Sequence, residues 1–93
     1  MIGSSSKVRR NPEVVSRALD EAEGGVLLHL ASGQYHGVNP IGLAIWELIA
    51  QERTVREVAD ALRERIDDPP PDLESDVIEF LTKVHDRDLV LVA

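Results

Sequence analysis

Cysteine is absent from this chain of 93 residues, which excludes a disulfide framework, a thiolate metal cage and a cysteine nucleophile. Aromatic residues are nearly as scarce, Trp46, Tyr35 and Phe80 being the whole complement. No apolar run approaches the ~20 residues of a membrane-spanning helix. The opening MIGSSSKVRRNPE carries basic residues with no apolar segment of signal-peptide length behind them. A soluble, cytoplasmic protein without a membrane partner is therefore expected. Basic charge is thin as well. The formal net charge is −7, and Lys7, Arg9, Arg10 and Arg17 all precede Asp20 whereas sixteen of the 17 acids do not, so the folded body is acidic. Nucleic-acid affinity rests on clustered Lys and Arg that displace counterions from phosphate, and no nucleic-acid partner is expected of such a surface.

The machinery of catalysis is missing too. His29, His36 and His85 are the only imidazoles, and no spacing such as H-E-x-x-H joins them to carboxylates, so neither a metal site nor a cofactor is expected. Ser4, Ser5 and Ser6 lie in a polar start, while Ser16, Ser32 and Ser75 lack a G-x-S-x-G setting. Turn and packing roles account for the glycines, which form no phosphate-binding loop. A non-enzymatic domain with no catalytic residue is the consequence.

What is there is organised around GQYHGVNPIGLAIWELI, Gly33 to Ile49. Its first part, Gln34 to Val38, is bounded by Gly33 and by Asn39-Pro40 and reads as a strand leaving a tight turn. Ile41, Ala44, Ile45, Leu48 and Ile49 then recur at helical spacing as one apolar stripe. Asn39 is placed to cap that helix, and Pro40 suits its first turn, where a missing N–H costs nothing.

Before this junction, residues 1–12 lack periodicity and read as a flexible arm, with the domain proper at 13–93. Val14 to Leu19 reads as a first strand and Asp20 to Gly25 as a polar turn. Val26, Leu28 and Leu30 alternate with Leu27 and His29 in a middle strand whose two faces are both largely apolar. A two-residue turn would pair Leu30 with Tyr35 and set His29 opposite His36, whereas a three-residue loop would pair Leu30 with Gln34; the sequence leaves both open.

Beyond the junction, Thr54-Val55-Arg56-Glu57 is a capping box that starts a helix with Val55, Val58, Ala59, Leu62 and Ile66 as its stripe. Pro69, Pro70 and Pro71 end it. Asp72 is expected to cap a third helix carrying Leu73, Val77, Phe80, Leu81 and Val84. Leu89 to Val92 is either a terminal strand or an extension over the core. A three-stranded antiparallel sheet followed by three helices is an α+β domain of winged helix-turn-helix type, and its outer strands leave edges with unpaired N–H and C=O groups. Trp46 reads as core, while Tyr35 and Phe80 either line a groove beside the third strand or are buried.

Tyr35, Gly37, Asn39, Gly42, Ile45 and Trp46 together follow a Y-x-G-h-N-x-x-G-x-x-I-W run, where h is apolar. With Thr54-Val55, Asp76-Val77 and Phe80-Leu81, this pattern resembles PqqD-like proteins across roughly residues 14 to 92. These are the recognition elements of ribosomally made, post-translationally modified peptides. The resemblance implies a peptide-binding domain that takes the leader segment of a precursor as an added strand. It places the site on Gln34, Tyr35, His36, Gly37 and Val38, and on Asp76, Val77, Phe80 and Val84 of the third helix. It implies as partners the precursor leader, a leader peptidase and an asparagine-synthetase-like cyclase, in lasso-peptide biosynthesis. A pyrroloquinoline quinone peptide chaperone serving a radical SAM enzyme is the alternative it leaves open. A DNA-binding winged helix fits less well, because Asp72 to Asp88 holds Asp72, Glu74, Asp76, Glu79, Asp86 and Asp88 against Lys83 and Arg87.

Overall fold

A computed structural model describes residues 2–20 and 23–93 of the chain. Strand β1 (Lys7–Arg10) comes first, followed by a meander of β2 (Val14–Ala18), β3 (Gly25–His29) and β4 (Gln34–Val38). Helix α1 (Pro40–Leu48), the short β5 (Arg53–Thr54), helices α2 (Val55–Arg65) and α3 (Leu73–Asp86), and β6 (Val90–Val92) complete the chain. The meander is the expected antiparallel sheet, ordered β2-β3-β4. The α+β, winged-helix-type architecture is what the alternation and stripes dictate.

A second sheet, ordered β5-β1-β6, was not expected. It corrects the reading of residues 1–12 as a flexible arm, because Lys7–Arg10 is the central strand, pairing Val8 with both Arg53 and Val92. Val8 is fully buried and Ile2 is 7% exposed. The physical reason is that β1 finds its partners far away in sequence, at Arg53–Thr54 and Val90–Val92, where no local pattern could announce them. Arg10 seals the seam with the meander-side core: its Nε donates to the Trp46 carbonyl at 2.9 Å, and its guanidinium lies 4.9 Å from the Trp46 ring centre.

The local signals hold where they depend on neighbours in sequence. Asn39 Oδ1 accepts from Gly42 N–H at 2.7 Å, with Pro40 opening α1. Thr54 Oγ1 accepts from Glu57 N–H at 3.1 Å while Glu57 Oε1 accepts from Thr54 N–H at 2.8 Å. The Thr54 backbone N–H foremost, then the Thr54 hydroxyl, hold the Glu57 carboxyl below its usual range. Asp72 is the exception. It occupies the N-cap of α3, but its side chain makes no capping bond.

The hairpin register matches neither expected turn. His29 pairs with Gln34 and Leu27 with His36, so the loop is residues 30–33 and the two histidines do not face each other. Leu30 is drawn away from the turn, its N–H donating to the Glu13 carbonyl at 2.8 Å, and Gly33 closes the loop at φ 73° with its N–H on the His29 carbonyl. Gly24 is constrained for a second reason: at φ 83° any side chain would run into the Val38 and Asn39 backbone. That close approach sets where β4 hands over to α1. The polar turn expected at Asp20 to Gly25 includes residues 21 and 22, outside the described residues, while Gly25 itself opens β3.

Trp46 and Ile45 of α1 with its C-cap Ile49, Val58 and Leu62 of α2, and Val77 and Leu81 of α3 form one core with Leu27 of the meander and Leu89 and Val90 behind it. Asn11 fastens the back of this core. It is 7% exposed, its Nδ2 donates to the Asp88 carbonyl at 2.8 Å, and its Oδ1 accepts from Glu13 N–H at 2.9 Å. Asp88, at φ 62°, also brings its carboxylate within 3.1 Å of His29 Nε2.

Candidate functional site

The free edge of β4 follows from the ladder. Leu30 N–H donates to the Glu13 carbonyl and Leu19 N–H to the Gly24 carbonyl, so the even-numbered residues of β3 turn their backbone groups toward β2. Antiparallel ladders alternate strictly, which leaves Gly25, Leu27 and His29 bonded to Val38, His36 and Gln34. The N–H and C=O groups of Tyr35 and Gly37 therefore point away from the sheet. They are the template an added strand would use.

Directly opposed residues share a face, so His36 and Val38 look toward the helices with Leu27, while Tyr35 looks outward with Leu28. On the helix side a groove runs along the β4 edge. Phe80 Cε1 sits where a Gly42 side chain would be, 2.8 Å from an ideal Cβ position, and Val38 Cβ is 3.2 Å from that point. At the other end of α3, the Arg87 guanidinium donates to His36 Nδ1 at 3.0 Å. Burial foremost, then the charge of Arg87 and the nearby His29, hold His36 below its ordinary pKa of 6.5.

Two depressions make up this groove and share Phe80 and Lys83. One, about 130 Å³, lies between His36, Gly37 and Val38 on the strand side and Val84, Arg87 and Leu89 on the helix side. The other, about 330 Å³, lies between the start of α1 (Asn39, Ile41, Gly42, Ile45) and Asp76 and Glu79 of α3.

Set against the expected site, the structure brings His36, Gly37, Val38, Asp76, Phe80 and Val84 to the groove. Phe80 is half-buried against the core and open to the groove. Tyr35 is neither groove lining nor core: it is 71% exposed on the opposite sheet face, beside Val15, Val26 and Leu28. Val77 is fully buried in the core. Gln34 lies at the loop end of β4 and lines neither depression. Sequence reasoning passed over Ile41, Gly42, Glu79, Lys83 and Arg87. The signal was present for α3, since residues 76, 79, 80, 83, 84 and 87 follow the three-four spacing of a single helical face. Among the described residues, no group of three or more His, Asp or Glu could hold a metal ion, and no helix is long and apolar enough to cross a membrane.

Comparison with known proteins gives consistent neighbours. The family model "Coenzyme PQQ synthesis protein D (PqqD)" matches residues 24–90. The solved structure of TbiB1 in complex with the TbiA(beta) leader peptide is 32% identical, with a TM-score of 0.75 over 88% of this chain and 93% of that one. Lasso peptide synthetase B1 complexed with its leader peptide is 25% identical, with a TM-score of 0.73 over 90% of this chain and 96% of that one. The solution structure of the PqqD truncation of Methylobacterium extorquens PqqCD, described as a stand-alone recognition element, shares the fold at 20% identity, with a TM-score of 0.80 over 98% and 95% of the two chains. No curated protein sequence matches this chain. A family match spanning most of the folded body and a relative at 32% identity over nearly the full length lead to one assignment: this chain belongs to the PqqD family.

Proposed function

We propose that this protein binds the leader segment of a ribosomally made precursor peptide as a strand added to β4, and delivers the precursor to modifying enzymes. One observation carries the reading: the unpaired backbone groups of Tyr35 and Gly37 border a groove floored by Phe80, so main-chain pairing and side-chain insertion are available together. That two relatives are complexed with leader peptides supports it. The expected contacts are the backbone of Gln34 to Val38 and the side chains of His36, Val38, Asp76, Phe80 and Val84. The protein itself carries out no chemistry in this reading and works in the cytoplasm, where precursors are made.

Lasso-peptide biosynthesis is the preferred setting, with a leader peptidase and an asparagine-synthetase-like cyclase as the enzymes served. The relative named lasso peptide synthetase B1 supports that choice. The pyrroloquinoline quinone pathway is the second reading, favoured by the family's own description. Adding the protein to a leader peptidase should accelerate cleavage of a full-length precursor far more than of a leaderless one. Equal stimulation of both substrates would remove the delivery role, and turnover by the protein alone would remove the non-catalytic one.

A further inference from the structure

The groove is electrically polar along its length. Asp76 and Glu79 stand at the end near Asn39 and Ile41 and Arg87 at the end near His36, while Phe80 and Lys83 border both depressions, Lys83 being the one nearer Arg87 along α3. All four charged residues are exposed, and none of them is in an ion pair among the described residues, although Glu79 and Lys83 are one helical turn apart. Helix α3 runs antiparallel to β4, since Phe80 lies over Val38 and Arg87 bonds His36. The charge axis is therefore roughly parallel to any strand that pairs with Tyr35 and Gly37.

From these observations we infer that the groove selects peptides in which an apolar side chain is flanked by a cation on one side and an anion on the other. This deepens the strand-addition reading and rests on it. The midpoints of the two charged pairs are separated by about 11 Å at the helical rise, and residues i and i+4 of a strand by about 13 Å. Side chains i, i+2 and i+4 share a strand face. An added strand antiparallel to β4, the orientation with the better hydrogen bonds, begins at the Val38 end. The selected pattern, read from the peptide's N-terminus, is cation, any residue, apolar, any residue, anion. The cation meets Asp76 and Glu79, the apolar group covers Phe80, and the anion meets Lys83 and Arg87. Such charges outside the desolvated centre set orientation and register more than raw affinity.

The test uses two synthetic peptides of identical composition with neutral ends, each threonine-flanked: lysine-threonine-leucine-threonine-glutamate and its charge-exchanged counterpart with glutamate first. Titration followed by amide chemical shifts reads affinity and location together. The first peptide should bind more tightly by roughly tenfold at low ionic strength, with the largest shifts at Tyr35 and Gly37, and the difference should shrink in ~1 M salt. The double variant Glu79→Lys/Lys83→Glu, which conserves net charge, should erase most of the preference. Equal affinity of the two peptides, or an unchanged preference in the double variant, overturns charge selection while leaving strand addition standing. Binding of neither peptide, or shifts confined to β2, overturns both.

Discussion

Phe80 is the residue at which binding and stability are expected to separate. Its ring packs over Gly42 and borders both depressions of the groove, yet it is only half-buried. Phe80→Ala should weaken leader binding by about 2 kcal/mol or more, as for an interface hot spot. Its stability cost should stay below the roughly 3–5 kcal/mol of deleting a fully buried Phe. Calorimetric titration and denaturant melts of the same variant check the two halves. His36 should make stability pH-dependent near neutrality. Its folded pKa lies below the ordinary 6.5, so the folded state holds fewer protons, and the stability it contributes is present above pH ~6.5 and lost as pH falls through the folded value. Protonation also ends acceptance of the Arg87 N–H at Nδ1. Leader binding should decline over the same acidic window, and an imidazole shift titration should return a midpoint under 6.5; a midpoint above it would contradict the assigned cause.

At the scale of elements, the β4 ladder makes adjacent residues respond in opposite ways to the same substitution. Gly37→Pro removes an outward N–H that the hairpin does not use, and a Cβ there has nothing within 4 Å; leader binding should fall sharply while the melting profile changes little. His36→Pro removes an N–H directed at Leu27, leaving a ladder acceptor unpaired, and should cost about 1–3 kcal/mol of stability. Binding titrations and thermal melts of the pair distinguish them. The first strand has a comparable test. Removing residues 1–10 takes away buried Ile2 and Val8 and the central strand of β5-β1-β6. The loss should be about 3–6 kcal/mol by area alone, a large share of a small domain's stability. A truncated protein that melts like the full chain would reduce β1 to a passive attachment.

Across the whole molecule, net charge −7 and a third-helix segment, Asp72 to Asp88, with six acids against Lys83 and Arg87 argue against binding to a phosphate backbone. Duplex DNA should produce no saturable mobility shift at micromolar protein and physiological salt. That expectation rests on composition and charge placement, and the lack of cysteine likewise excludes thiol chemistry. Local pattern determined α1 and α2 with their caps, because Asn39 with Gly42 and Thr54 with Glu57 act within one turn of backbone, and the apolar stripes of all three helices follow from their period. Only the tertiary structure decided what depends on partners distant in the chain. Lys7–Arg10 became a central strand because Arg53 and Val92 lie on either side of Val8. Tyr35 was turned away from the groove because a four-residue loop, anchored by Leu30 on Glu13, set it opposite Leu28. The charge axis beside β4 likewise needed the crossing of α3, since a helix has one periodic face in sequence but acquires a neighbour only when it packs.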